Sequence, residues 1–244
     1  MNKAGRWGAA LAGLALLGLA LGAAAETPEK ESVKEKIKPS HIDLVLVLDK
    51  SGSMSGLEDD TIGGFNSMLE KQRQLDVATD VTTVLFSDQY KVVHERESIK
   101  NIEPMTAKDY TPGGMTALLD AVGRTIGKVQ DYSKIDAKDN KVIFVIITDG
   151  KENYSKEYKK AQVKKLIEKK QENSEWEFVF LGANIDAATE AGSLGIVRDH
   201  AVKYRNTPSG VRANYDAVAR FAAEAAAPTE AHESNWKEAV EEDK

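Results

Sequence analysis

Two rhythms of apolar positions alternate along the chain. Residues 42–48 and 142–148 (VIFVIIT) are almost continuously apolar, the pattern of a strand covered on both faces. Between them, Ile62, Phe65, Met68 and Leu69 recur at helical spacing and predict a helix over 58–74, with Glu58, Asp59 and Asp60 where its dipole favours negative charge. Residues 81–86 are rich in β-branched side chains. A second strand-like run, 90–95, follows after Ser87-Asp88-Gln89, so the two predict a hairpin. Leu118, Leu119, Val122 and Ile126 share one side of a helix over 116–128. A Lys-rich helix over 155–171, a strand over 176–181, a short helix over 186–194, a weak strand over 201–204 and a helix over 209–226 complete the order. This alternation predicts a doubly wound α/β fold: a mostly parallel six-stranded sheet with one antiparallel edge strand and helices on both faces.

The ends follow other rules. Lys3 and Arg6 precede an apolar, Ala/Leu/Gly-rich stretch from Trp7 to Leu21, and Ala23-Ala24-Ala25 offers a small-residue cleavage site. Residues 1–25 therefore read as a secretory signal peptide, with an uncleaved membrane anchor as the alternative. Residues 26–40 are charged, carry two prolines and read as a linker; 227–244 read as an acidic tail in which Trp236 is expected to fold back onto the domain. The expected location is periplasmic or extracellular, with no membrane span after cleavage.

Composition narrows the chemistry. The absence of cysteine excludes disulfides, thiolate nucleophiles and cysteine-ligated metals. The net charge of -6 becomes -8 once Lys3 and Arg6 leave with the signal peptide. An acidic surface argues against a nucleic-acid partner. The four histidines are scattered without ligand spacing and read as surface residues. The lysines of 156–170 read as a solvated helix face, and Asn153-Tyr154-Ser155 as a chance match to a glycosylation sequon. Gly63-Gly64 is unfavourable inside a helix and is expected to permit close packing against the sheet, with a mobile first helix as the alternative.

The two most apolar runs share an ending. One leads into Asp49-Lys50-Ser51-Gly52-Ser53, the other into Asp149-Gly150. In doubly wound sheets, ligands bind at the carboxyl ends of the strands where the winding reverses. If these strands are neighbours there, two carboxylates meet in one crevice, and a cation removes their repulsion. Asp49, Asp149, Ser51 and Ser53 offer only hard oxygens, a set suited to Mg²⁺, Mn²⁺ or Ca²⁺ rather than zinc. Thr116, after Gly113-Gly114-Met115, is placed either to cap a helix or to turn its hydroxyl toward the ion.

Taken together, DKSGS (Asp49, Ser51, Ser53), GGMT (Thr116) and TDG (Asp149) resemble the metal-ion-dependent adhesion site of von Willebrand factor A domains. The resemblance runs over residues 41–226 and includes the TIGGFN and FLGAN segments, which are similar to those of bacterial members. It implies that Asp49, Ser51, Ser53, Thr116 and Asp149 hold Mg²⁺, with Mn²⁺ or Ca²⁺ as substitutes. It further implies that a Glu or Asp from a partner protein completes the coordination. By position, Lys50, Met54, Ser55, Asp88, Met115 and Lys151 would form the rim. The expected function is a cation-dependent protein-binding module, not an enzyme. A metal-dependent hydrolase and a metal-independent scaffold are the alternatives. The chain has no P-loop, GxSxG or HExxH motif, and Asp88 is its only spare acid in a strand-end loop.

Overall fold

A computed structural model describes residues 38–227 and 235–243; the proposed signal peptide, nearly all of the linker and part of the tail lie outside them. The described residues form one sheet of six strands: β1 (His41–Asp49), β2 (Ala78–Phe86), β3 (Tyr90–Ser98), β4 (Asn140–Thr148), β5 (Trp176–Ala183) and β6 (Ala201–Tyr204). Their order across the sheet is β3-β2-β1-β4-β5-β6, and only β3 runs antiparallel. The expected doubly wound architecture, with its antiparallel edge strand, is the observed one.

Alternation along β1 assigns the layers. Ile42, Leu44, Leu46 and Leu48 face helices α1 (Glu58–Arg73), α5 (Pro208–Ala226) and α6 (Glu238–Glu242), while Val45 and Val47 face α2 (Leu118–Val129), α3 (Lys160–Asn173) and α4 (Ala187–Ser193). Both faces are covered, which is why the strand sequences show so little polar alternation. Trp236 is buried edge-on against Phe221, so the end of the tail folds back as expected.

The winding reverses at β1. The chain moves from β1 outward to β2 and β3, then returns to β4 on the other flank of β1. β1 and β4 pair in parallel from His41↔Asn140 to Leu48↔Ile147, so their carboxyl ends lie side by side at the switch point.

Three sequence expectations are corrected. Helix α3 begins at Lys160 rather than 155, because the backbone N–H groups of Lys156, Glu157 and Tyr158 all donate to the Asp120 carboxylate (2.8–2.9 Å). Helix α2 begins at Leu118, and Thr116 is not its cap. The glycine pair of α1 packs against a helix rather than the sheet: a Cβ on Gly64 would lie 2.4 Å from Cδ2 of Tyr215 in α5, while Gly63 has open space.

Candidate metal centre

Four loops converge at the carboxyl end of β1 and β4. The backbone stitches three of them together: Lys50 N–H donates to the Phe86 carbonyl (2.7 Å), Gly113 N–H to the Lys50 carbonyl (2.8 Å) and Gly52 N–H to the Gly114 carbonyl (3.1 Å). Ala117 N–H donates to Ser87 at the end of β2 (2.9 Å). Gly114 has φ +82°, and an added Cβ would stand 2.0 Å from Oδ1 of Asp88, so only glycine fits this approach.

All five expected ligand residues meet here. Asp49 ends β1 and is buried. Its Oδ1 accepts from Ser51 N–H (2.7 Å) and its Oδ2 from the Thr148 hydroxyl (2.6 Å). The Ser51 and Ser53 hydroxyls lie 3.1 Å apart, and Ser53 donates to Oδ1 of Asp149 (2.5 Å). Thr116 Oγ1 and Ser53 Oγ both border Gly150, at 3.4 and 3.6 Å from the place its Cβ would take. Only two of the five are acids, and among the described residues no group of three or more Asp, Glu, His or Cys side chains is arranged to hold a metal ion.

The electrostatics of the two acids are unusual. Burial, reinforced by the neighbouring Asp149 charge, pushes the Asp49 carboxyl up to about 6, against the hydrogen bonds from Thr148 and Ser51. Burial also raises Asp149. Among the described residues no Lys, Arg or His forms an ion pair with either, although fourteen ion pairs occur elsewhere. A pair of buried carboxylates without a protein cation, bordered by three hydroxyls, is a donor set that fits a hard divalent ion. Next to it, Oδ1 of Asn206 is buried without a partner while Nδ2 of the same side chain donates to Oδ2 of Asp149 (3.1 Å).

The rim divides. Met115 and Lys151 are exposed, as are Ser55 and Asp88, and Lys50 is half-buried. Met54 is not on the rim: it is 2% exposed and packs with Leu48 and Leu57, because the 3-10 turn over Gly52–Met54 carries it inward. None of the described histidines reaches the site, but they are not simple surface residues. His41, His94 and His200 are each partly buried, and His232 lies outside the described residues.

Sequence reasoning missed the groups that hold the ligands. Thr116 is pinned by Asn153: its N–H donates to the Asn153 carboxamide (2.9 Å), and its carbonyl accepts from Asn153 and Tyr154 N–H (3.0 and 3.2 Å). Glu152 takes the Leu119 N–H at the open end of α2, the job a cap would do, and Ser155 takes Asp120 N–H. Asn184, at φ +54°, donates to the Asp149 carbonyl (3.3 Å), and Tyr110 donates to that of Asp49 (2.7 Å). One signal was legible: each parallel strand of the sheet is followed within two residues by a short polar residue, namely Asp49 itself, Ser87, Asp149, Asn184 and Asn206.

No known family profile matches the chain, and no curated protein is significantly similar to it in sequence. Solved structures are similar in fold. Proximal thread matrix protein 1 from the mussel byssus matches with TM-score 0.55 at 15% identity, over 76% of this chain and 47% of that one. The same protein has been solved with zinc occupying its metal-ion-dependent adhesion site motif (TM-score 0.52, 15% identity, 76% and 48% covered). A von Willebrand factor type A structure from Catenulispora acidiphila matches with TM-score 0.53 (16% identity, 77% and 43% covered), and the pilus adhesin SpaC of Lactobacillus rhamnosus GG with 0.58 (15% identity, 76% and 30% covered). The chain spans less than half the length of each. At these identities the likeness is one of fold, and the fold is that of von Willebrand factor A domains.

Proposed function

We propose that the chain is a divalent-cation-dependent protein-binding module, in which Asp49, Ser51, Ser53, Thr116 and Asp149 hold Mg²⁺ and a carboxylate from a partner protein completes the site. One observation carries this reading: two buried carboxylates sit at the switch point, and no cation among the described residues pairs with either. The bound ion would supply a hard, electrophilic centre for an anionic oxygen. The chain's own residues keep that centre from being neutralised. Ser51, Ser53 and Thr116 contribute neutral hydroxyls, which donate little charge. Asp49 is already engaged by Ser51 N–H and Thr148, and Asp149 by Ser53 and Asn206, so neither acid is free to swing. The reading as a binder rather than a hydrolase rests on the lack of a placed base: Asp88 is exposed beside Gly114, and no described histidine reaches the site.

Calorimetry tests the metal. MgCl₂ is expected to give a saturable heat with the native chain and none with Asp49→Asn. The variant should fold, because an asparagine can keep the Ser51 N–H bond and Thr148 can turn its hydroxyl to the Gly150 carbonyl, 3.2 Å away. With a buried charge removed, its metal-free form is expected to unfold a few degrees higher, a gain of about 1–2 kcal/mol. A flat titration of the native chain with Mg²⁺, Mn²⁺ and Ca²⁺ alike would overturn the reading.

A further inference from the structure

Three large apolar side chains are exposed among the described residues: Met115 at 47%, Tyr154 at 38% and Val197. Two of the three stand at the candidate metal centre, and they are neighbours. Tyr154 N–H donates to the carbonyl of Thr116, the residue after Met115, and Asn153 closes the same junction from the other side. The two side chains thus rise from loops that are locked to each other and to Thr116. Their positions are also fixed from below, since Glu152 accepts from Tyr154 N–H (2.9 Å), Ser155 N–H and Leu119 N–H.

The loops around this apolar pair bring lysines to the surface of a chain that is acidic as a whole. The full sequence carries a net charge of -6. Yet Lys50 and Lys151, on the loops that carry Asp49 and Asp149, have no ion pair among the described residues. Lys156 places its ammonium 4.2 Å from the Tyr154 ring centroid and donates to the Tyr154 hydroxyl (3.1 Å). The acids nearby are committed: Glu152 to backbone N–H groups, Glu157 to Arg124 and Asp120 to three N–H groups, which leaves Asp88 as the one exposed acid of the rim. A surface that sets an apolar pair and lysines around a carboxylate-seeking centre is complementary to an acidic segment with a large apolar residue beside its carboxylate.

We infer that the site recognises such a segment in a partner protein, with the apolar residue seated on Met115 and Tyr154 and further acids facing Lys50 and Lys151. This rests on the carboxylate-capture reading above and adds the residue next to the carboxylate as the specificity determinant.

The test uses two labelled peptides of about eight residues with a single glutamate, flanked by leucines in one and by alanines in the other. Fluorescence anisotropy is read with the full chain in Mg²⁺ and in EDTA. The leucine-flanked peptide is expected to bind about tenfold tighter in Mg²⁺. That preference should fall below about threefold in Met115→Ser/Tyr154→Ser, whose Mg²⁺ heat by calorimetry stays native. Equal affinities for the two peptides, or a preference that survives in the double variant, would overturn the inference. The underlying reading fails separately: binding of both peptides unchanged in EDTA removes the metal from recognition while leaving the rim to be judged by the variant. Binding of neither peptide at millimolar concentration overturns both.

Discussion

At the residue scale, the adjacent glycines of α1 show how little a sequence pattern says about which position matters. Gly63 and Gly64 carry the same intrinsic penalty in a helix. Their surroundings differ: a Cβ at Gly63 meets nothing within 4 Å, whereas one at Gly64 would press into the ring of Tyr215, which is itself fully buried and edge-on to Phe65. Gly63→Ala is therefore expected to stabilise the chain by about 0.5–1 kcal/mol, and Gly64→Ala to destabilise it by about 1–3 kcal/mol. Urea denaturation of the two variants checks this; equal shifts of the same sign would refute the packing account. Met54 teaches the same lesson at the site. Its place in DKSGSM put it on the rim, but the 3-10 turn that presents Ser53 to Asp149 necessarily turns the next side chain inward.

At the scale of elements, the amino end of the sheet carries a polar cluster as organised as the site at the carboxyl end. Asp43 of β1 accepts Nε and Nη2 of Arg96 (3.0 and 3.1 Å) and Nδ2 of Asn140 (2.9 Å). Because Nδ2 of Asn140 donates to Asp43 and to the Ile135 carbonyl, its Oδ1 is the acceptor for Nδ1 of His41 (2.7 Å), while Nε2 of His41 faces Asp80 (3.2 Å). Both ring nitrogens therefore donate, which is the imidazolium. Asp43, with help from Asn140 and Asp80 and against burial, lifts His41 from 6.5 to about 9. Asp43 itself is lowered: burial opposes its charge, but His41, Arg96 and Asn140 outweigh it. The sign follows. A raised histidine stabilises fully below its unfolded value and loses that contribution as pH rises through 9; a lowered carboxyl stabilises above its unfolded value and loses its share in acid. The difference in stability between the native chain and His41→Gln is expected to be about 1–3 kcal/mol near pH 6 and to vanish by about pH 10, measured by urea unfolding. A difference independent of pH would show that the ring matters for its packing alone.

The elements also mark where the sequence was legible. Long apolar runs and helical spacing located β1, β4, α1 and α5 to within a few residues, because burial on two faces or along one stripe writes itself into the local order of side chains. The start of α3 was misplaced by five residues, since nothing local reveals that Asp120, far back in the chain, takes the N–H groups of Lys156, Glu157 and Tyr158. Four of the five candidate ligands could be read because they lie at or just after the ends of β1 and β4 in short motifs, and Thr116 because it follows a glycine pair just before α2. Of their supports, Asn184 and Asn206 left only the trace of a short polar residue after a strand, and Asn153 and Tyr110 left none, since each reaches the site from a loop whose position is fixed only by tertiary packing.

For the whole molecule, a ligand that binds only the folded chain stabilises all of it. Mg²⁺ at about one hundred times its dissociation constant is expected to add about 2.7 kcal/mol, and EDTA to remove it. For a chain of this size that corresponds to a rise in Tm of roughly 5–10 °C, read by calorimetry or circular dichroism, and abolished in Asp49→Asn. A shift that persists in the variant would place the stabilising ion elsewhere.

The two margins of the sheet bear on how the molecule behaves in company. An open strand edge is a template for stray chains. Here β3 is interrupted by register shifts beside Thr83, sets Arg96 at φ +48° and exposes Lys91, Glu95 and Glu97. At the opposite margin, β6 is four residues long and shares its apolar cluster with Trp236 and Val240 of the tail. Neither margin offers a clean ladder for an incoming strand, so crowding many copies together should not zip them into ribbons.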